Sequence, residues 1–422
     1  MTRAPERLPD LSGRQRTVVL DDDPTGTQEI TNAPVLLRRN RIALVELLQG
    51  SDTVYVLTNT RAVSEGDAKK LLDKLRLDVA FAEESLGIEV LVVQRGDSTL
   101  RGHVFAEIDV FAHAESVVVF APAFPAGGRL TSGGVHRVLV DGMWINAADT
   151  EFATDPVFGF SERTMVDYVQ AKGSRSAVST QPANFLSTAL ATEPGTVIVP
   201  DAESNSDLEE VARDIRTLVR SGRSVVVRCA APLAAYLAGR KSTGFIDLAR
   251  VPRSGPVLVV AGSHTAATTR QIEAVLGRWP SMVEIDTDAA LADPDAAGAL
   301  AAARVREAFL TTEVVILATE RVRRAEHGSL GDAARVMQAL SSAVTEVRDV
   351  PGVVIAKGGI TSAEIARSGF GAKVGWVQGQ VEPGISLWKL GDQDSGLPYI
   401  VVPGNIGDAD TIVRLVTKLV NR

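Results

Sequence analysis

Short apolar runs rich in valine and isoleucine alternate along this chain with longer stretches whose apolar residues recur at helical spacing, the pattern of an α/β protein. "TVVLDD" predicts the first strand and "DTVYVLTNT" (52–60) another, while "SEGDAKKLLDKLRLDVAFAEESLG" (64–87) predicts a helix capped by Ser64. "IEVLVVQRGDS", "ESVVVFAPAFP", "GTVIVPDAES" (195–204) and "RSVVVRCA" (223–230) predict further strands. Runs this continuously apolar belong in a mostly parallel sheet covered on both faces. The pattern restarts at "ARVPRSGPVLVVAGSHT" (249–265), where Pro252, Gly255 and Pro256 form a linker. "EVVILAT" (313–319), "GVVIAKGG" (352–359) and "PYIVVPGNIGD" (398–408) then repeat strand, turn and helix, and the alanine-rich "DAALADPDAAGALAAARVREAFLTT" reads as a helix. The expected fold is α/β, with two α/β lobes (residues 1–250 and 251–422), mostly parallel sheets and an interdomain cleft.

Composition narrows the partners. The 422 residues are 45% hydrophobic and 23% charged, an ordinary globular balance. The formal net charge is -8 and no block of lysine or arginine offsets it, so nucleic acid is not an expected partner. Cys229 is the only cysteine; it excludes an intrachain disulfide and reads as a buried structural thiol at the end of an apolar run. The polar start "MTRAPERLPDLSGRQRT" has no apolar leader core, and no stretch reaches the ~20 apolar residues of a membrane span. A cytoplasmic protein with no membrane partner is expected, and a homodimer is the generic expectation for a soluble enzyme.

Ligands of open α/β sheets gather outside the carboxyl ends of the strands. Polar clusters fall at those ends: Asp21, Asp22 and Asp23 in "VVLDDDPTGTQ", then Asn59 and Arg61, "RGDSTLRGH" (95–103) and "APAFPAGGR" (121–129). Three consecutive aspartates form either a solvated turn or a site in which one carboxylate serves as general base, with magnesium as a further oxygen-seeking ligand. Arg101 either clamps a substrate carboxylate or pairs with Asp97, and Arg95 is a second candidate cation for an acidic substrate. His103 opens the next helix and reads as a capping or packing residue. In the second half, "AGSHT", "KGGITSAEIA" (with Thr361 or Ser362 as helix cap) and "PGNIGDADT" are turns that bare backbone N–H groups at helix starts, where phosphate binds. Each alone could be a tight connection; three together favour a nucleotide. No G-x-x-x-x-G-K-[ST], G-x-G-x-x-G, G-x-S-x-G or zinc-ligand spacing occurs. Trp376 and Trp388 flank a turn and read as core.

Together these motifs resemble the four-carbon acid sugar kinases, over nearly the whole chain. "DDDPTGT" is similar to the family's A-D-D-x-T-G-A, "RGDSTLRG" to K-x-D-S-T-L-R-G, and "APAFPAGGRLTSGGVH" to the block that follows. "AGSHTAATTRQ", "KGGITSAEIA" and "VPGNIGD" are similar to the nucleotide-lobe motifs. The resemblance implies an ATP-dependent kinase acting on threonate, erythronate or 3-oxo-tetronate with Mg2+, the first lobe taking the sugar acid and the second ATP. It places Asp22 and Asp23 as catalytic, Asp22 narrowly favoured as base, with Arg95, Asp97, Ser98 and Arg101 on substrate. Ser263, Gly358, Gly359, Ile360, Thr361 and Gly404 fall at the nucleotide positions. Two departures bear on which acid is bound: the family's A-D-D becomes Asp21–Asp22–Asp23, with Pro24 stiffening the turn that follows, and Arg95 stands where most members carry lysine. Two rival functions use the same residues differently. A non-catalytic nucleotide or metabolite sensor needs only the second-lobe turns. An ATP-independent sugar-acid lyase or aldolase would use the carboxylates and a lysine such as Lys357, although a phosphate contact or solvent exposure explains that lysine more simply.

Overall fold

A parallel strand buried on both faces needs side chains that are apolar along its whole length, and those runs here become strands that stack in register. The computed structural model describes residues 15–242, 244–321, 330–404 and 406–420, apart from the side chains at 24, 25 and 330. Residues 1–14, read above as lacking a leader core, the ring of Pro24 and Asn405 of the last motif lie outside that description. By its contacts the chain divides into two compact units, Met1–Thr243 and Gly244–Arg422.

The first unit contains β1 (Gln15–Asp21), β2 (Ala33–Leu36), β3 (Thr53–Leu57), β4 (Glu89–Arg95), β5 (Val117–Ala121), β6 (Arg129–Ser132), β7 (Val135–Val140), β8 (Met143–Asn146), β9 (Ala177–Thr180), β10 (Val197–Pro200) and β11 (Val225–Cys229). Eight of them form a parallel sheet in the order β2-β3-β1-β4-β11-β5-β10-β9. The chain leaves β1 for β2 and β3 on one side, then returns through the helix Glu65–Leu86 to β4 on the other. Ser64 caps that helix by accepting from the Asp67 amide, as its sequence predicts. The carboxyl end of β1, between β3 and β4, is therefore a topological switch point, where crossovers diverge and leave a crevice. Phe105, Phe120, Phe160 and Tyr168 pack together in the core behind it. Strands β6, β7 and β8 form a separate antiparallel sheet that the apolar pattern did not announce.

The second unit contains β12 (Val257–Ala261), β13 (Met282–Ile285), β14 (Val314–Thr319), β15 (Val353–Lys357), β16 (Val374–Glu382), β17 (Ile385–Leu390) and β18 (Leu397–Val402), ordered β13-β14-β12-β15-β18-β17-β16. The first five are parallel, and β17 and β16 add an antiparallel hairpin. Its switch point lies between β12 and β15. The alanine-rich segment differs from its reading: it is two helices, Thr287–Ala292 and Pro294–Ala308, because the Asp293 carboxylate caps the second and Pro294 starts it. Thr361 and Ser362 are not caps; they lie inside the helix Gly359–Glu364, whose N-cap is Gly358. Trp388 is core with no exposure, whereas Trp376 is only half-buried on the edge of β16. Among the described residues no helix is long and apolar enough to cross a membrane.

Strands β12 and β15 enter the sheet through Gly255 and Gly352, which touch backbone to backbone, so a Cβ on Gly352 would overlap the Gly255 amide. Replacing Gly352 with Ala is expected to destabilise the second unit by about 1–3 kcal/mol through overpacking. Thermal unfolding of the full chain reads this as a lowered transition, and an unshifted one would contradict the packing argument.

Candidate active site

Strand β1 delivers Asp21 at its last position and Asp22 and Asp23 into the switch-point crevice. They do not form a solvated turn. Asp21 and Asp22 are each 1% exposed, and arginines from three other strand ends enclose them. Arg95, the last residue of β4, donates to Asp21 Oδ1 at 2.9 Å and lies 3.5 Å from Asp22 Oδ1. Arg228, inside β11, donates to Asp22 Oδ2 at 3.1 Å and also pairs with Glu107. Arg61, beyond β3, reaches Asp22 Oδ2 at 3.2 Å, Asp23 Oδ2 at 2.9 Å and Asp97 Oδ2 at 3.5 Å. A buried carboxylate without such partners would be strongly destabilising, so these charges are needed for the strand end to exist. Glycines make room for them: a Cβ on Gly26 would overlap the Asp21 carboxylate, and one on Gly96 the Arg228 guanidinium.

Two carboxyls titrate in opposite directions. Burial, helped by the negative charges of Asp22 and Asp23 and opposed by Arg95, pushes Asp21 up to about 7. Against the upward push of burial, Arg61 and Arg101 hold the Asp97 carboxyl down at about 2.

The remaining residues of "RGDSTLRGH" line the same end. Arg101 Nε donates to Asp97 Oδ2 at 2.7 Å, so the ion pair left open by the sequence forms. The Arg101 plane stacks over Phe152 with its charge centre 5.1 Å from the ring, its side chain is 33% exposed, and its two Nη groups have no partner among the described residues. The Ser98 carbonyl receives His136 Nε2 at 2.8 Å; its hydroxyl is half-buried. His103 contacts the Val63 carbonyl and stands edge-on to Phe158, a packing role. Arg129, in "APAFPAGGR", is part-buried near Asp97 and Arg101 and makes no ion pair among the described residues.

Arg95 differs from its reading as a cation for substrate, since its side chain is 8% exposed and committed to Asp21. The magnesium reading of the aspartates meets a similar obstacle. Guanidiniums pair with Asp21 Oδ1, Asp22 Oδ2 and Asp23 Oδ2, and among the described residues no group of three His, Cys, Asp or Glu is arranged to hold a metal. The residues present do not form a resident metal cage.

In the second unit the three turns converge at the switch point. Gly358 has φ 110°, which only glycine adopts readily, and an added Cβ would sit 3.1 Å from Ser263 Cβ and 3.1 Å from Thr361 Oγ1. Gly404 packs against Ser263 Oγ, and the Thr265 hydroxyl donates to the Gly404 carbonyl at 3.0 Å. Gly359 is half-buried and Ile360 exposed on the outer side, whereas Thr361 is buried at 3% and braces the turns from within. Thr265 caps the helix Ala266–Leu276, so its first amide groups face this end. Lys357 is neither exposed nor aimed at the turns' outer face. It has no exposure, and its Nζ donates to the Pro403 and Ile406 carbonyls at 2.7 and 3.0 Å, holding the last turn from beneath. Burial lowers its pKa to about 8. An amine that cannot meet a carbonyl substrate is a poor Schiff-base nucleophile, which counts against the aldolase reading. Cys229 is buried, its thiol pushed up to about 12 by burial, in keeping with a structural role.

Sequence alone does not single out Arg228, though one signal was available, an arginine inside the otherwise apolar "SVVVRCA". Arg61 and Arg129 likewise stood in quoted motifs without a role.

Comparison with known proteins follows the same division. Residues 17–237 match the family described as a sugar-binding N-terminal domain, and residues 258–412 a nucleotide-binding C-terminal domain. A protein of Heliobacterium modesticaldum named D-erythronate kinase is 30% identical over 66% of this chain, which spans 64% of that relative's length. Proteins named D-threonate kinase from Bordetella bronchiseptica (30% identical over 86% of this chain and 85% of the relative) and Salmonella typhimurium (29%, 76% and 79%) are also similar. A crystal structure from Haemophilus influenzae shares the fold with a TM-score of 0.67 at 17% identity, covering 96% of this chain and all of that one. One from Salmonella typhimurium reaches 0.72 at 19% identity, covering 94% and 98%.

Because burial favours the protonated Asp21, stability from this group is fully present below about pH 4 and is lost as pH rises to about 7. The stability of Asp21→Asn relative to wild type is therefore expected to grow across that interval and level off above it. Denaturant unfolding of both proteins at pH 4.5, 6 and 7.5 checks the sign; a difference that shrinks with rising pH would contradict it.

Proposed function

The chain belongs to the four-carbon acid sugar kinases, and from that membership we propose that it transfers the γ-phosphoryl group of ATP to a hydroxyl of a four-carbon sugar acid such as threonate or erythronate. The acid binds at the switch point of the first unit and the nucleotide at that of the second. One observation carries the reading. Asp23, the only one of the three aspartates with an appreciably exposed side chain (26%), pairs with Arg61, which also reaches Asp97, the partner of an Arg101 whose Nη groups have no partner among the described residues.

In this reading Asp23, rather than the enclosed Asp22, accepts the proton as the acceptor oxygen attacks the γ-phosphorus and ADP leaves. Arg61 orients the Asp23 carboxylate. Asp22 acts indirectly, by fixing Arg61 and Arg228. The Nη fork of Arg101, its plane held on Phe152, takes the substrate carboxylate, and Ser98 and Asp97 complete the wall. Phosphoryl transfer depends on positioning and charge neutralisation more than on covalent chemistry, and this set is suited to both. Ser263, Gly358, Gly359, Ile360 and Gly404 present backbone and hydroxyl donors to the phosphates, with Thr361 supporting them. Magnesium enters as part of the MgATP substrate.

The two aspartates separate by experiment. Asp23→Asn is expected to lower kcat by roughly 10²–10⁴-fold with ADP affinity and melting temperature unchanged. Asp22→Asn removes one counter-charge from each of two enclosed guanidiniums, Arg61 and Arg228, and is expected to lower the melting temperature as well. Arg101→Met should raise KM for the acid and leave KM for ATP alone. An Asp23→Asn enzyme with wild-type turnover would reject the assignment of the base.

A further inference from the structure

Arg321 lies two residues beyond the end of β14, the strand that pairs with β12 on the side away from β15. Its Nη2 donates to the Ser263 backbone carbonyl at 2.5 Å and to Thr269 Oγ1 at 3.1 Å, which carries the guanidinium to the edge of the turns described above. Its Nε and Nη1 are buried and have no hydrogen-bond partner among the described residues. It makes no ion pair among them either; burial lowers its pKa, and the charge of Glu284 acts against that shift. A guanidinium that spends one nitrogen on fixing its own position, and keeps Nε and Nη1 without partners among the described residues, has charge and donors to offer an anion.

The turns themselves supply neutral donors. Ser263, Thr265, Gly358 and Gly404 offer hydroxyls and backbone amides, and the Lys357 ammonium is turned beneath the sheet end to the Pro403 and Ile406 carbonyls. Neutral donors alone would leave much of the charge of a nucleotide's phosphates unbalanced, and the chain's net charge of -8 opposes binding further. We infer that Arg321 is a phosphate-binding cation of the second unit, its charge and its unpartnered Nε and Nη1 donors acting on the oxygens of a nucleotide's distal phosphates. Nothing in "LATERVRR" marks it out from the arginines that follow, so only its placement identifies it. The inference rests on the reading of this unit as the ATP site.

Calorimetric titration of the full chain with adenosine, AMP, MgADP and MgATP tests it on wild type, Arg321→Lys and Arg321→Ala, with Arg321→Met as replacement should the alanine variant not fold. The expected result is a loss of roughly 10- to 100-fold in MgADP and MgATP affinity for the alanine variant, with adenosine unchanged. The lysine variant should fall between, since it keeps the charge and loses the planar set of N–H donors. KM for the acid should not move. Equal MgATP affinity in wild type and variant would overturn the inference alone. A parallel loss for adenosine would also overturn it, because the residue would then only prop the Ser263 carbonyl. A wild-type chain that binds no MgATP would overturn the reading of the unit, and the inference with it.

Discussion

The Asp22 carboxylate, 1% exposed at the end of a parallel strand, is the constraint around which the first unit is arranged. A buried carboxylate persists only with counter-charges held in fixed geometry, and those charges arrive from neighbouring strands because the one cation of β1, Arg16, lies at its far end on Asp52. Arg61, Arg95 and Arg228 come from three different strands and converge on it. That convergence fixes much else: the glycine at 96 that clears Arg228, the glycine at 26 that folds the turn back over Asp21, and Glu107 under the far side of Arg228. It also sorts three consecutive aspartates into different roles. Asp21 is drawn towards its neutral form, Asp22 is locked among cations, and only Asp23 remains accessible for chemistry.

The sheets explain why both sites lie where they do. In each unit successive crossovers leave the first strand in opposite directions, and loops from several strands meet at the crevice at its carboxyl end. The two crevices carry different chemistry. The first is dense in charge. The second is made of glycine and hydroxyl turns that allow close approach to backbone amides, with Arg321 and Lys357 as cations among its described residues.

Much of this was legible in the sequence, for physical reasons. Parallel strands such as Val257–Ala261 and Val353–Lys357 are apolar at every position because both faces are covered, and the Ser64 cap is a local interaction. The β16 strand was not legible. It does alternate between buried and half-buried positions, but Gly375 and Gly379 occupy two of the inward sites, Gly375 leaving room for the Trp388 ring, so the hydrophobic period is broken. The β6–β8 sheet announced itself only through its turns, Gly133–Gly134 and Asp141–Gly142. At the site, sequence located the aspartates and the "RGDSTLRG" segment but could not say which charges would be used up internally. Arg95 was indistinguishable from a substrate-facing cation, and Lys357 from an exposed one, because burial of a strand-end residue depends on which neighbours close over it.

The most direct test of the account is ADP release by the purified protein with MgATP and a panel of D- and L-threonate, D- and L-erythronate and the 3-oxo-tetronates. The account predicts turnover that requires one of these acids, with one stereoisomer strongly preferred. Binding of MgATP without turnover on any of them would contradict the assignment of the first unit to a four-carbon acid.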